Sequence, residues 1–245
     1  MQPLYVIGDI HGHLDKLANA VDLIDQDGGK DAKIIFIGDL VDRGPDSKGV
    51  IQFLIDGIAA GRNWTVLKGN HDRMFEWFMQ TPPRHDAHML VGMHWFHEKI
   101  GGIETLASYG ITVTPMIDRL YEIHAQAIAN VPQAHVDFLK SQELLHCDNT
   151  FIFAHAGINP SHSMDAQNEE DLLWLRAPDG YYPKNLPFLV IHGHTPIAEP
   201  THFGTHINVD GGAAFGRAII PIVLCSDGVH KLTSGGRRPI TSQVM

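Results

Sequence analysis

Five short segments of this sequence combine aspartate, asparagine or histidine with glycine or alanine, and each of them follows an apolar run. They are Gly8-Asp9-Ile10-His11-Gly12, Gly38-Asp39-Leu40-Val41-Asp42-Arg43-Gly44, Gly69-Asn70-His71-Asp72, Ala154-His155-Ala156-Gly157 and Gly193-His194-Thr195. Mixed carboxylate and imidazole ligands suit transition metals such as Mn, Fe or Zn better than Ca or Mg. The segments therefore predict a transition-metal site if the fold brings them together.

A simpler interpretation treats the same polar residues as parts of ordinary loops. Asp and Asn commonly bond their own backbone after a strand, and a single Asp-x-His or Gly-His-Thr segment is a weak signal of function. Five such segments in one chain favour the metal site over the loop interpretation.

The apolar pattern predicts how the segments meet. Residues 4–7, 33–37 and 64–67 are short apolar runs typical of buried strands, and helical spacing follows the first two until Gly28 and Gly61. Successive strand, loop and helix units imply parallel strands with right-handed crossovers. In such a sheet the loops at the carboxyl ends of the strands converge on one site.

The rest of the chain predicts further elements. We expect a loop over residues 68–72 with a helix after it, and strands over 151–154 and 188–191. Gly-separated runs over 205–232 predict antiparallel strands, and residues 234–245 are expected to form a loose tail.

Residues 81–146 differ from the flanking sequence, with mixed polarity, helical stretches and seven histidines. No Gly-, Ser- or Pro-rich linker isolates them, which predicts a single domain over 1–245 with a helical insertion over 81–146. A second metal site is conceivable within the insertion, and its candidates are His85, His88, His94 and His97. Solvated or packed histidines are the favoured interpretation of these four residues.

Composition excludes several classes of protein. The 245 residues carry 18 Lys and Arg against 28 Asp and Glu, and a formal charge of −10 disfavours general nucleic-acid binding. The two cysteines, Cys147 and Cys225, lack metal-type spacing. No export signal or spanning segment is evident, so we expect a cytoplasmic protein without membrane partners.

The five segments, in their order, resemble the metallophosphoesterase superfamily, and their detail is similar to the PPP-type serine/threonine protein phosphatases. Residues 101–110 and 171–176 also resemble segments of the bacterial subgroup, and the resemblance extends over residues 4–225. It implies a four-layered α/β/β/α calcineurin-like sandwich, an α/β fold in which residues 81–146 form a helical lid.

The resemblance also implies two divalent metal ions, Mn²⁺ first with Fe or Zn as alternatives. In the family pattern Asp9 and His11 hold the first ion and Asp39 bridges both. The residues that would hold the second ion are Asn70, His155 and His194. Two ions roughly 3.5–4 Å apart make a hydroxide available as the nucleophile that attacks phosphorus.

Four further residues match the catalytic and substrate-binding positions of the family. His71 would protonate the leaving oxygen, and Asp42 would orient His71. Arg43 and Arg176 would bind phosphate, although the context of Arg176 matches only the bacterial subgroup. A surface pair between Arg43 and Asp42, or a helix-capping role for Arg176, is the simpler alternative.

The resulting hypothesis is a metal-dependent phosphomonoester hydrolase, specifically a serine/threonine protein phosphatase that acts on phosphoproteins or small phosphoesters. A symmetrical bis(5'-nucleosyl)-tetraphosphatase, or another nucleotide phosphohydrolase, is the nearest alternative. Its members commonly carry Ala at position 42 and Trp at position 195, where this chain has Asp42 and Thr195. A non-catalytic metal-binding interaction module is the second alternative.

Overall fold

The computed structural model describes residues 2–89, 94–114, 117–148, 150–178 and 181–242. It is a mixed α/β protein with two sheets, as expected. Within these ranges no helix has both the length and the apolar character needed to cross a membrane.

Eleven strands form the two sheets in the described part of the chain. They are β1 (Leu4–Ile7), β2 (Lys33–Phe36), β3 (Trp64–Val66), β4 (Leu145–Cys147), β5 (Phe151–Ala154), β6 (Leu189–His192), β7 (Thr201–His202), β8 (His206–Asn208), β9 (Ile222–Cys225), β10 (Gly228–Thr233) and β11 (Gly236–Pro239). The first sheet has the order β11-β10-β9-β1-β2-β3, and the second has the order β4-β5-β6-β8-β7.

The described α-helices are α1 (Leu14–Gly28), α2 (Ser47–Ala59), α3 (Asn70–Phe78), α4 (Gly102–Ser108), α5 (Leu120–Asn130), α6 (Gln133–Ser141) and α7 (Glu169–Trp174). Helices α1 and α2 follow β1 and β2, which pair in parallel with each other, and β2 pairs in parallel with β3. The predicted strand, loop and helix units at the start of the chain are therefore confirmed. Helices α4, α5 and α6 lie within residues 81–146.

Alternating side chains of the first sheet enter two different cores. Tyr5 and Ile7 of β1 pack in a core with residues of α1 and α2, whereas Leu4 and Val6 pack in a core with Phe153 and other residues of the second sheet. A third core lies on the other face of the second sheet and joins β5 and β6 to α7. The order of packing is thus helices, sheet, sheet, helix, which places the carboxyl ends of both sheets close together.

Three expectations about local structure are wrong in part. Residues 70–72 belong to the first turn of α3, because the carboxylate of Asp72 accepts the backbone N–H of Gly69 and caps the helix. Strand β8 pairs antiparallel with β7 as expected but in parallel with β6, and β9 and β10 are antiparallel as expected. Residues 236–239 of the expected tail are not loose, because β11 pairs with β10 and the Arg237 side chain binds the carboxylate of Asp27, whereas residues 243–245 lie outside the described residues.

Candidate active site

The backbone is strained at the ends of the strands. Described residues other than glycine with a positive φ are His11 (48°), Asp39 (50°), Asp42 (72°), Arg43 (68°) and His194 (64°). All five belong to the segments singled out from the sequence. Non-glycine residues rarely adopt this conformation unless the surrounding structure holds them there, and such strain clusters at functional sites.

Asp39 lies at the centre of the site and is 2% exposed. One of its carboxylate oxygens is 3.4 Å from Nε2 of His11, and the other is 3.4 Å from Nε2 of His155. The backbone N–H of His71 donates to Asp39 Oδ1 at 3.0 Å. The ends of β1, β2, β3 and β5 therefore converge on one carboxylate.

Two of the histidines are oriented by backbone carbonyl groups. Nδ1 of His11 is 3.0 Å from the carbonyl oxygen of Val41, and Nδ1 of His155 is 3.0 Å from that of Ile37. A carbonyl oxygen only accepts, so each Nδ1 carries the proton and each neutral ring directs the lone pair of its Nε2 towards Asp39.

The segment after β6 completes the cluster. Nδ1 of His194 lies 3.2 Å from Nε2 of His155 and 3.0 Å from Oδ1 of Asn70. The backbone N–H of His194 donates to the carboxylate of Asp9, 3.2 Å away. The structure thus brings together all six residues that the family resemblance implied as metal ligands.

Burial governs the protonation of the histidines in this cluster. It lowers the pKa of His11, with a further contribution from the positive charge of Arg43. It likewise lowers the pKa of His155 and of His194. Neutral imidazoles keep the lone pairs that a metal ion requires.

The pKa values of the Asp9 and Asp39 carboxylates shift in opposite directions. Burial and the nearby carboxylates of Asp210 and Asp39 raise the pKa of Asp9 well above its usual value. Burial also opposes ionisation of Asp39, but His155, His71 and His11 around it outweigh that effect and lower its pKa. Divalent cations bound here would neutralise the crowded carboxylates and would accept the histidine lone pairs that face into the cluster. Among the described residues, groups with metal-binding geometry include His11, Asp39 and His71, and also Asp39, His155 and His194.

A group of three side chains, Asp42, His71 and Arg43, lies beside this cluster. Nδ1 of His71 is 2.7 Å from Oδ2 of the fully buried Asp42. The Arg43 guanidinium reaches both rings, with Nη2 3.0 Å from Nε2 of His71 and Nη1 2.7 Å from Nε2 of His11. The proposed acid pair and one of the proposed phosphate-binding arginines are therefore in contact.

Arg176 lies on the exposed segment after α7. Burial and other nearby charges are larger causes of the lowered pKa values of His155 and His194. The positive charge of Arg176 adds to both shifts, so Arg176 lies beside the site. No metal-like group in the described part of the chain contains His85, His88, His94 or His97. His88 instead stacks on the Trp174 ring, with centroids 5.1 Å apart.

Comparison with the sequence patterns of known families assigns the chain to one of them. The family described as calcineurin-like phosphoesterase matches residues 2–217, which include every segment of the site. The chain belongs to this family. The family uses a dinuclear metal centre, and this chain has the His and Asp groups that could bind it.

Curated relatives with named activities are similar to this chain. A symmetrical bis(5'-nucleosyl)-tetraphosphatase of Cellvibrio japonicus is 30% identical over 182 residues, which cover 71% of this chain and 53% of the relative. The chain thus spans about half the length of such symmetrical relatives. An asymmetrical bis(5'-nucleosyl)-tetraphosphatase, PrpE of Oceanobacillus iheyensis, is 25% identical over 87% of this chain and 85% of its own length.

A solved structure shares the fold. The cold-active protein-tyrosine phosphatase of a psychrophilic Shewanella species superposes with a TM-score of 0.65 at 15% sequence identity, over 98% of this chain and 81% of that chain. At this identity the likeness supports only the fold of this chain.

Sequence reasoning missed Asp210, which follows β8 and is 4% exposed. Burial is the main cause that raises its pKa to about 6, and the negative charge of Asp39 adds to the effect. Its position two residues after β8 and immediately before Gly211 and Gly212 is the signal that could have found it. Trp95 and Thr105 were also missed, and both contact Asp42.

Proposed function

We propose that this chain hydrolyses phosphate monoesters whose leaving group is a basic alkoxide, as in phosphoserine and phosphothreonine of proteins. The observation that carries the proposal is the buried pair of His71 and Asp42, 2.7 Å apart, beside the candidate metal cluster. Such a pair supplies a proton to a leaving oxygen, and the need for that proton is greatest when the leaving group is most basic.

Six side chains would hold two divalent cations. Asp9 and His11 would hold one cation together with Asp39, and Asn70, His155 and His194 would hold the other with Asp39. Two cations at this place supply Lewis acidity and lower the pKa of water towards neutrality. Imidazole and amide ligands favour Mn²⁺, Fe or Zn over Mg²⁺.

His71 would act as the general acid. Its Nδ1 proton is held by the Asp42 carboxylate, so its Nε2 faces the guanidinium of Arg43 and the cluster. In the structure Nε2 accepts a hydrogen bond from Arg43, and once that guanidinium turns to bind a phosphoryl group, a proton taken up at Nε2 is placed to pass to the leaving oxygen of the substrate. A hydrogen-bonded carboxylate fixes the ring orientation and stabilises the imidazolium form.

Two arginines would bind the phosphoryl group. Arg43 is half-buried and already directs both of its terminal nitrogens into the site, towards His11 and His71. A planar guanidinium binds two phosphate oxygens at once and stabilises the charge that develops on them. Arg176 is exposed at the rim, where its side chain is free to approach a substrate phosphate.

Hydrolysis of dinucleoside tetraphosphates is the second candidate function. It is favoured by the names of the curated relatives, of which the asymmetrical enzymes match this chain over most of their length. In that reaction the leaving group is a nucleotide phosphate, which departs far more readily than an alkoxide. The need for an acid such as His71 is therefore smaller.

A comparison of turnover on four substrates tests the proposal. The metal-loaded protein is assayed on phosphoserine, phosphothreonine and phosphotyrosine peptides and on diadenosine tetraphosphate. We expect the highest kcat/KM on the phosphoserine or phosphothreonine peptide. A higher kcat/KM on diadenosine tetraphosphate would replace the proposal with the second candidate. No turnover of any of these substrates or of p-nitrophenyl phosphate would favour the non-catalytic module.

A further inference from the structure

Asp42 accepts hydrogen bonds from two residues of the segment 81–146: Trp95, which precedes α4, and Thr105, which lies in α4. The indole N–H of Trp95 lies 3.1 and 3.0 Å from the two carboxylate oxygens of Asp42. The hydroxyl of Thr105 donates to Asp42 Oδ1 at 2.7 Å. Both residues are almost fully buried, at 5% and 0% exposure, so neither bond competes with water.

Thr105 holds Asp42 by its backbone as well. The same hydroxyl oxygen accepts the backbone N–H of Asp42 at 2.8 Å and lies 3.0 Å from the hydroxyl of Ser47. Asp42 has a φ of 72°, a conformation that a non-glycine residue keeps only when its surroundings hold it. Thr105 therefore supports both the strained backbone of Asp42 and the direction of its carboxylate.

The segment between the two residues is closely fitted to the same loop. Arg43 donates its backbone N–H to the carbonyl oxygen of Gly101 at 3.2 Å. A Cβ atom at Gly101 would lie 2.3 Å from the Arg43 nitrogen, and one at Gly102 would lie 2.5 Å from the Trp95 ring. Only glycines allow residues 101 and 102 to lie this close to Arg43 and Trp95. Residues 95–105 therefore pack specifically against the loop that contains Asp42 and Arg43.

We propose that Trp95 and Thr105 are positioning residues that set the orientation of Asp42 and, through it, of the His71 ring. This inference rests on the proposed function. The carboxylate of Asp42 has its lone pairs directed by three donors, of which His71 is one and the residues of the inserted segment are the other two. Packing of residues 95–105 against the Asp42 loop therefore aligns Nε2 of His71 for proton transfer. Neither Trp95 nor Thr105 belongs to the candidate metal cluster.

The kinetic test uses variants that remove the hydrogen-bonding group of each side chain and leave an apolar side chain in its place. Trp95→Phe and Thr105→Val should each lower kcat on a phosphoserine peptide about tenfold, the scale found for residues that orient a functional side chain. KM should stay unchanged, and p-nitrophenyl phosphate should be affected much less because its leaving group needs no proton. Thr105→Ser should restore the rate, and Trp64→Phe, at a partly buried indole on β3, should have no effect.

A spectroscopic test does not depend on turnover. The Nδ1 proton of His71, shared with the buried Asp42, should give a strongly deshielded proton resonance that disappears in Asp42→Asn. The resonance should shift or broaden in Trp95→Phe and Thr105→Val and stay in place in Thr105→Ser and Trp64→Phe. If Thr105→Val does not fold, Trp95→Phe and Thr105→Ser decide the question.

Several results would overturn the inference. They are an equal loss of rate on both substrates, a Thr105→Ser variant as slow as Thr105→Val, or a resonance that stays unchanged in Trp95→Phe. A resonance that responds as expected in a protein without any phosphatase activity would support the positioning of Asp42 and refute the proposed function instead.

Discussion

Nε2 of His155 lies 3.2 Å from Nδ1 of His194, and both rings are buried. Burial lowers the pKa of each histidine, and the Ile37 carbonyl holds the proton of His155 on the opposite ring nitrogen. Two neutral imidazoles thus present nitrogen atoms to the same small space, beside the amide oxygen of Asn70. A cation bound in this space would use the lone pairs of both rings, which makes metal content the first property to measure.

Removal of the charge on Asp39 should reduce metal content. Asp39 is the carboxylate nearest to both His11 and His155, so Asp39→Asn deprives both groups of ligands of their common anion. We expect elemental analysis to find less metal in the variant, and turnover to be abolished. Asp15→Asn, at an exposed position in the first turn of α1, serves as the control and should retain the wild-type content. An active Asp39→Asn protein with two metals would refute the bridging role.

The identity of the metal should follow the ligands. Imidazole and amide groups favour later transition metals, whereas Mg²⁺ favours carboxylates and water. Apo protein prepared with a chelator should therefore recover more activity with Mn²⁺ than with Mg²⁺ at equal concentration. Titration of the apo protein, followed by its thermal midpoint, should show the same order. Equal recovery with the two ions would argue against the histidine ligands.

Arg73 should be a sensitive point for stability. It is completely buried and pairs with Asp86 at 2.8 Å and with Glu170 at 3.0 Å, which joins α3 to α7. Asp86→Ala removes the buried partner, and breaking a buried pair in this way costs about 3–5 kcal/mol. Because the half-exposed Glu170 remains, we expect the lower end of this range in urea unfolding. The exposed Asp22→Ala should change the free energy of unfolding by less than about 0.5 kcal/mol.

Tyr5 should make the protein less stable in alkali. Burial, followed by the hydrogen bond to Asp27, raises the pKa of Tyr5 to about 12. The unfolded chain releases this proton near pH 10. The stabilisation is therefore complete below about pH 10 and is lost as the pH rises through 12.

Urea midpoints measured at pH 9 and pH 11 test this expectation. The wild type should lose stability between the two values, and Tyr5→Phe should lose less. Tyr121→Phe is the control, because the Tyr121 side chain is 62% exposed. A loss that is identical in wild type and Tyr5→Phe would show that other groups cause it.

The parts predicted from the sequence are those with a local pattern. The apolar runs of β1 and β2 and the helical spacing of α1 and α2 follow from short-range burial, and polar residues at strand ends revealed the candidate site. The tail was misjudged because β11 is polar and exposed throughout, and its position depends on the distant contact between Arg237 and Asp27. The division into one domain with an insertion over 81–146 stays a prediction.

Contacts that span long stretches of sequence left no local pattern. Trp95 and Thr105 lie 53 and 63 residues from Asp42, and nothing in their spacing indicates that they meet it. The start of α3 was also misplaced, because Asn70 and His71 look like loop residues until the cap formed by Asp72 is known. The chemistry of a residue was thus easier to predict than its distant partners.

The acid role of His71 predicts a dependence on the leaving group. A serine or threonine alkoxide is too basic to depart without a proton, whereas p-nitrophenolate departs readily near neutral pH. His71→Asn should lower turnover of a phosphoserine peptide by about 10²–10⁴-fold and that of p-nitrophenyl phosphate much less. Asp42→Asn should show the same pattern more mildly, because the ring is misaligned and not removed.

Metal content and a matched variant complete this experiment. The backbone N–H of His71, which donates to Asp39, is retained in His71→Asn, so elemental analysis should find the wild-type metal content. His162→Asn, at an exposed histidine outside the candidate cluster, should leave both rates unchanged. If both substrates slow by the same factor in His71→Asn, His71 positions the phosphate or the nucleophile, because loss of a general acid must weigh more on the more basic leaving group.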